Sequence, residues 1–154
     1  MSDTRRSWGE AIAFYEELAA DGDRSAVFLL DVVHRLAATA VGSCLEARAW
    51  EECLGICVSD ESRPLRGTPW VAVVSEADEI DYFQDEFGES PADLDPTCWR
   101  VELRGIVRNP AGGDEERTLE MRHCFGGTAE VVEVVEAFLP RLCPVPTPPP
   151  SATD

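Results

Sequence analysis

Six cysteines and two histidines are the residues of this chain that could carry nucleophilic chemistry. A cysteine nucleophile needs a histidine within hydrogen-bond reach and a third group that orients the imidazole. His34 lies on an apolar helical stretch, which predicts a core or boundary position, and His123 falls on the inward side of its predicted strand. The sequence therefore predicts no catalytic residue, and a small enzyme that uses Cys124 or Cys57 is kept as an alternative.

Zinc ligands are also poorly spaced along the chain. Cys53 and Cys57 lie four residues apart on a predicted helix, but no second pair of Cys or His at close spacing accompanies them. His123 and Cys124 are neighbours on a predicted strand, where adjacent side chains point to opposite faces. The spacing therefore predicts no zinc site.

Calcium and acid/base chemistry have no better support. Asp93 and Asp95 begin like a calcium-binding loop, but the sixth position is Cys98 and the twelfth is Arg104. A calcium loop of this type needs Gly and Glu at those positions. The other carboxylates sit on polar faces, where nothing raises a pKa for acid or base catalysis. The sequence predicts no metal and no cofactor.

The segment Ser75–Gly88 is the most distinctive stretch, with six acidic residues, three aromatic rings and no basic residue. Asp78, Asp81 and Asp85 share one face of a helix by their i, i+3, i+7 spacing. Acids near the carboxyl end of a helix are unfavourable by about 0.3–1 kcal/mol each at exposed sites, so helix stability does not explain them. The pattern indicates a binding surface for a cationic protein. Its predicted partner-binding residues are Asp78, Glu79, Asp81, Tyr82, Asp85, Glu86 and Glu89.

Two other interpretations of this acidic helix stay open. Its acids can form a solvated face that only keeps the protein soluble. They can also pair within the chain, because the polar side of a predicted hairpin carries Arg100, Arg104, Arg108 and Arg122. The sequence does not decide between internal pairing and a partner.

The whole chain is strongly acidic, with 30 acidic residues against 13 basic ones and a formal net charge of −17. Such a charge repels phosphate groups, which argues against direct binding to nucleic acid or to an anionic membrane. It agrees with a cationic partner, with simple solubility or with adaptation to a salty cytoplasm. All 13 basic residues are Arg, and this absence of Lys indicates a GC-rich genome.

The N-terminal part of the chain is predicted to be helical. Ser7 and Glu10 form a capping-box pattern that begins a first helix. Gly22 ends that helix, and Asp23 caps the next one. Residues 24–41 are apolar on nearly all sides, which predicts a central buried helix.

The next two elements differ in how clearly the sequence defines them. Ser43 and Glu46 repeat the capping-box pattern, which predicts a third helix over 44–57, although the alternation in 45–49 also suits a strand. Residues 69–74 are apolar and rich in β-branched side chains, which predicts a buried strand. That strand leads directly into the acidic helix.

The acidic helix is predicted to begin at a Ser75 cap and to end at Gly88. Four apolar residues at helical spacing are expected to anchor it to the core: Ala77, Ile80, Phe83 and Phe87.

Two alternating strands, at about 99–108 and 117–125, predict an antiparallel hairpin with one polar face. In the second strand one side carries Leu119, Met121, His123 and Phe125. A last helix follows, with an inward stripe of Val131, Val134, Val135 and Phe138. Pro140 is expected to end this helix.

Taken together, the elements predict an α+β fold with N-terminal helices, a small, mainly antiparallel sheet and a closing C-terminal helix. Residues 1–143 are expected to form a single acidic domain, and the proline-rich residues 144–154 a disordered tail. Residues 1–9 lack the apolar run of a signal peptide, so a cytoplasmic location is expected, with the cysteines as buried thiols.

The predicted function is that of a non-enzymatic acidic binding protein for a cationic protein partner, as inhibitors, immunity-type proteins and chaperone-like proteins are. Mimicry of nucleic acid by its carboxylates is a narrower version of the same hypothesis. The alternative from another class is a structural or assembly subunit in which helix 24–41 packs against a second copy to form a homodimer. The oligomeric state itself does not follow from the sequence.

Overall fold

A computed structural model describes residues 3–39, 45–50, 53–58 and 69–142 of the chain. Residues 59–68 and the predicted tail at 144–154 lie outside these residues. The described elements, in chain order, are α1 (Asp3–Ala20), α2 (Arg24–Ala37), β1 (Leu45–Ala49), β2 (Cys53–Val58), β3 (Trp70–Ser75), α3 (Glu76–Phe87), β4 (Trp99–Arg108), β5 (Asp114–Cys124) and α4 (Thr128–Leu142).

The five strands form one antiparallel sheet in the order β1-β2-β3-β4-β5, so that each strand pairs with its neighbour in sequence. Two helices precede the sheet and α4 closes the chain after it. The predicted α+β fold, with N-terminal helices, an antiparallel sheet and a C-terminal helix, is confirmed. No helix in the described part of the chain combines the length and the apolar character needed to cross a membrane.

One face of the sheet forms the core together with α1, α2 and α4. Apolar side chains at the centre of this face are fully buried, as in Leu54, Val71 and Val101. α2 is the central helix, as predicted, with its apolar side chains buried against both neighbouring helices and the sheet. α2 ends at Ala37, four residues before the predicted end. Just after the helix, the Thr39 hydroxyl donates a hydrogen bond to the Leu36 carbonyl at 2.7 Å.

The prediction of a third helix over 44–57 is wrong, because Leu45–Ala49 and Cys53–Val58 form two antiparallel, paired strands, β1 and β2. Ala47 lies opposite Ile56 and both point into the core, so the alternation in 45–49 was the correct signal. Side chains of α1 form hydrogen bonds with backbone groups of the edge strand β1, and these contacts outweigh the local capping-box pattern. The indole of Trp8 donates to the Leu45 carbonyl at 2.8 Å.

The predicted start of α1 is also wrong, since the helix begins at Asp3 and Ser7 lies inside it. The Ser7 hydroxyl accepts a hydrogen bond from the Ala47 amide of β1 at 3.1 Å. The Asp23 cap of α2 is confirmed, with its carboxylate accepting from the Ala26 amide at 3.0 Å. Gly22 precedes it at φ +94°, a backbone conformation that favours glycine.

The β4–β5 hairpin is confirmed, and β4 has the predicted bounds. The prediction for the faces of β5 is wrong, because Cys124 is buried opposite Trp99 whereas His123 is exposed opposite Arg100. The side predicted to point inward is therefore exposed. Its members are Leu119, Met121, His123 and Phe125.

The prediction that α4 ends at Pro140 is wrong as well, since the helix continues to Leu142. Pro140 is exposed, so the carbonyl that lacks its amide partner lies on the solvent side. Burial of Leu139 and Leu142 stabilises the last turn across the proline.

The opposite face of the sheet carries polar and aromatic residues. Trp50 and Trp70 lie over Gly55 there, with ring centroids 6.1 Å apart. A Cβ at Gly55 would lie 2.7 Å from the Trp50 ring and 3.1 Å from the Trp70 ring, so a side chain at this position requires the Trp50 ring to shift. The charged residues of β4 lie further along the same face, next to the first turn of α3 and beside Met121 and His123 of β5.

Candidate functional site

α3 begins and ends where the sequence predicts. The Ser75 hydroxyl accepts a hydrogen bond from the Asp78 amide at 3.2 Å, which satisfies one of the free amides of the first turn. Gly88 adopts the left-handed conformation (φ +79°) and donates to the Gln84 carbonyl at 2.9 Å. Both predicted caps are confirmed.

The predicted anchoring of α3 is only partly correct, because Glu76 is its one buried residue. Ala77, Ile80 and Phe83 are half-buried, and Phe87 is 67% exposed. Tyr82, 53% exposed, contacts Phe83 and Phe87 edge-on, with ring centroids 5.5 and 6.5 Å apart. We call Tyr82, Phe83 and Phe87 the aromatic cluster; its rings pack mainly on one another.

The first turn of α3 is held by Arg100, whose side chain is only 12% exposed. Its guanidinium donates to Glu76 and to Glu79 of the helix, each at 2.8 Å, and to Glu102 of its own strand. A buried guanidinium with three carboxylates is well compensated, since each acid accepts a charge-assisted hydrogen bond. These contacts raise the pKa of Arg100 further above its usual value, against the opposing effect of burial.

The same ion-pair system continues across the sheet to Arg104. Arg104 donates to Glu102 at 2.8 Å and to Glu116 at 3.1 Å, and its guanidinium lies 5.7 Å from the centre of the Trp70 ring. Burial alone would raise the pKa of Glu102, but hydrogen bonds from Arg100 and Thr118 and the nearby Arg charges bring it below its usual value. We call these six charged groups the arginine network: Glu76, Glu79, Arg100, Glu102, Arg104 and Glu116.

The acidic helix pairs with the arginine side of the hairpin through one arginine, Arg100. Of the four arginines expected there, Arg100 binds α3, Arg104 stays within the sheet, and Arg122 lies opposite the core residue Val101. The side chain of Arg108 lies outside the described part of the structure. Glu79 is thus engaged within the chain, at 31% side-chain exposure.

Of the acids of α3 outside the arginine network, Asp78 is half-buried in the first turn, and the other three face solvent. Asp81, Asp85 and Glu86 are exposed and form no ion pair with any residue that the structure describes. The same holds for Glu89, just after the helix. They lie around the aromatic cluster, so α3 has an internally paired first turn and an acidic, aromatic outer end.

A second constellation lies beside the first turn of α3. One ligand atom each from Glu76, Cys98 and His123 lie within 4.8 Å of one another. Glu76 and Cys98 are buried and His123 is exposed. The spacing rules missed this trio because its members come from a helix start, a loop and the end of a strand, and because His123 was assigned to the wrong face.

The thiols named for an enzymatic alternative lie in surroundings that disfavour the thiolate. Burial raises the pKa of Cys57 above its usual value. Burial, with smaller contributions from Glu130 and Cys98, raises the pKa of Cys124 to about 11. Burial, followed by the Glu76 charge, raises the pKa of Cys98 to about 11. A cysteine nucleophile needs the opposite shift.

These raised pKa values predict slow thiol chemistry in the folded protein. A thiol with a pKa of about 11 is only ~0.1% ionised at pH 8. We expect Cys98 and Cys124 to react with Ellman's reagent at pH 8, in the presence of EDTA, about 100-fold or more slowly than in the unfolded chain. Mass spectrometry of the partly modified protein identifies the labelled sites, and early labelling of either residue would contradict the prediction.

Comparison of the chain with protein-family models, with curated proteins and with solved structures found no match. The side-chain geometry around α3 is therefore the basis on which a function can be proposed.

Proposed function

We propose that the protein is a non-enzymatic acidic binding protein that engages a cationic protein partner through the outer end of α3. The observation that carries this proposal is the aromatic cluster, exposed on the helix and surrounded by Asp81, Asp85 and Glu86. Inhibitors, immunity-type proteins and chaperone-like proteins are members of this functional class.

The arrangement has the composition expected of an interface centre. Aromatic side chains are enriched among the residues that contribute most to protein–protein affinity, where a partner removes them from water. Tyr82 and Phe87 are exposed, and their rings pack edge-on against each other. Because this contact already orders both rings, a partner can bury them at little further cost in side-chain entropy. The acids around them supply charge that attracts a cationic partner and fixes its orientation.

The first turn of α3 gives this surface a rigid support. Ser75 caps it, and Arg100 ties Glu76 and Glu79 to the sheet. Glu79 therefore contributes to the support more than to the contact, whereas Asp81, Tyr82, Asp85, Glu86 and Glu89 remain for the partner. A preorganised surface loses less entropy when it binds.

The alternative of a self-associating subunit relied on the apolar surface of helix 24–41. In α2 these residues pack against α1, α4 and the sheet of the same chain, and Val27 is its exposed large apolar residue. The outer end of α3 is consequently the better-supported surface.

The test uses two variants with the same change in charge. Asp81→Asn/Asp85→Asn/Glu86→Gln neutralises three acids of α3, and Glu16→Gln/Glu17→Gln/Glu133→Gln neutralises three exposed acids of α1 and α4. A photo-crosslinking amino acid at Phe87 captures the bound protein in the native host, and its affinity is then measured with the purified pair. We expect the α3 variant to bind about 10-fold or more weakly, because three attractive charges are lost, and the control variant to bind like the wild type.

Three outcomes would contradict the proposal. The captured protein could carry net negative charge, both variants could lose affinity equally, or binding could be insensitive to salt. Exposed charges are screened over about 8 Å at physiological ionic strength, so affinity for a cationic partner must fall as salt is added. Thermal unfolding of the two variants checks that neither change acts through the fold.

A further inference from the structure

We propose that Glu76, Cys98 and His123 form a binding site for one thiophilic divalent cation of the zinc class. A carboxylate oxygen, a thiol sulfur and an imidazole nitrogen meet here within 4.8 Å of one another. The site is distinct from the acidic outer end of α3 and does not rest on the function proposed for it.

The distances suit a small tetrahedral ion. Zinc binds sulfur at about 2.3 Å and nitrogen or oxygen at about 2.0–2.2 Å, which separates tetrahedral ligand atoms by about 3.3–3.8 Å. The Glu76 Oε2 and His123 Nε2 atoms are 3.7 Å apart, inside this range. No two of the three ligand atoms are more than 4.8 Å apart, so they need to approach one another by at most about 1 Å. Rotation of the exposed imidazole can supply this movement.

The backbone holds the three ligands in place independently of an ion. The Glu76 amide donates to the Cys98 carbonyl at 3.1 Å, which joins the start of α3 to the residue before β4. His123 lies opposite Arg100 in the β4–β5 ladder. Arg100 follows Cys98 by two residues in the chain, so His123 lies close to Cys98 as well. The Glu76 carboxylate accepts from the Asp95 amide at 3.0 Å, the kind of outer hydrogen bond that orients metal ligands.

Charge at the site favours a cation although Arg100 is close. The arginine network contains four carboxylates and two guanidiniums, a formal charge of −2. Glu76 uses one lone pair of each oxygen, toward Arg100 and toward the Asp95 amide, and a carboxylate offers about four in total. A divalent ion therefore finds a free lone pair and a surplus of negative charge.

The ligand set also limits the kind of ion. A thiolate with imidazole and one carboxylate suits Zn²⁺ and its spectroscopic substitute Co²⁺, whereas Mg²⁺ and Ca²⁺ prefer oxygen alone. His123 is half-exposed, so solvent reaches its side of the site. Three protein ligands and an accessible fourth position would leave room for water or an exchangeable ligand.

Titration of the purified full-length protein with Co²⁺ tests the site. We expect one equivalent to bind with thiolate-to-cobalt charge-transfer absorption, which Zn²⁺ then displaces. Cys98→Ser is expected to abolish that absorption, and His123→Ala to weaken binding about 10-fold or more, as loss of a ligand or its support does. Cys57→Ser and His34→Ala provide matched controls, one at a buried thiol and one at an exposed imidazole, and are expected to bind like the wild type.

Thermal unfolding gives a second measurement that does not depend on absorption. An ion that binds only the folded state raises Tm, so Zn²⁺ at a fixed concentration is expected to raise the Tm of the wild type and both controls more than that of His123→Ala. His123 is exposed, so its replacement leaves the core intact. Absence of charge-transfer absorption in the wild type, or equal binding by His123→Ala, would overturn the proposal and reduce the trio to three neighbouring side chains that bind no ion.

Discussion

Replacement of Arg100 by Met is expected to lower the free energy of unfolding by about 3–5 kcal/mol, the usual cost of removing one member of a buried ion pair. The loss would leave the almost fully buried Glu76 without its arginine, Glu102 with Arg104 alone, and Glu79 without its partner on the sheet. Urea unfolding at pH 7, followed by far-ultraviolet circular dichroism, measures the difference.

Arg117→Met is the matched control for this substitution. Arg117 pairs with Glu115 on β5, and both side chains are about half-exposed, so its loss is expected to change the free energy of unfolding by only about 0–1 kcal/mol. Equal effects of the two substitutions would show that the arginine network contributes no more than a surface pair.

The difference in the free energy of unfolding between the wild type and Arg100→Met is expected to become smaller at low pH. The pKa of Glu102 is lower in the folded protein than its ordinary value of 4.5, so its contribution is present above that pH and is lost as the pH falls through the folded-state pKa. Arg100→Met removes the largest favourable part of this contribution and leaves the parts from Thr118 and Arg104. The gap between wild type and variant is therefore expected to narrow below pH 4.5.

The parts of the site that follow from local chemistry could be read from the sequence. Ser75 and Gly88 bound α3 because a cap depends only on the residues next to the helix end. The acid cluster and its neighbouring strand were visible for the same reason. The packed face of the helix could not be read from the sequence, because the ion pairs that tie α3 to the sheet involve its first turn and Phe87 is exposed.

The side chains that meet at Arg100 could not be predicted, because strand register is set by tertiary packing. A change of one residue in the assignment of a strand moves every side chain to the other face. Leu119 and Met121 made one side of β5 look apolar, but Cys124 is the residue that fits against Trp99 at the core. With the faces reversed, His123 could not be placed beside Glu76.

The error over residues 44–57 has a similar origin, and it identifies Tyr15 as a central residue of the fold. The Tyr15 ring is fully buried, and its hydroxyl donates to the carbonyls of Trp50 and Cys53 at 3.0 and 2.9 Å. These carbonyls flank the turn between β1 and β2. A helix pattern in the local sequence carries no information about a hydroxyl that reaches the turn from α1.

Tyr15→Ala is therefore expected to destabilise the protein by about 3–5 kcal/mol, the range for removing a large buried aromatic ring. Tyr15→Phe keeps the ring and loses only the hydroxyl, and about 1 kcal/mol is expected because both carbonyls also accept from backbone amides across the turn. Tyr82→Ala, at an exposed ring of α3, should stay within about 0.5 kcal/mol of wild type. Urea unfolding of the three variants separates these contributions. If Tyr15→Ala and Tyr82→Ala were equally stable, the buried Tyr15 ring would contribute no more to stability than an exposed ring. If the expected order is found, the paired strands β1 and β2 depend on a side chain that lies 35 residues before Trp50.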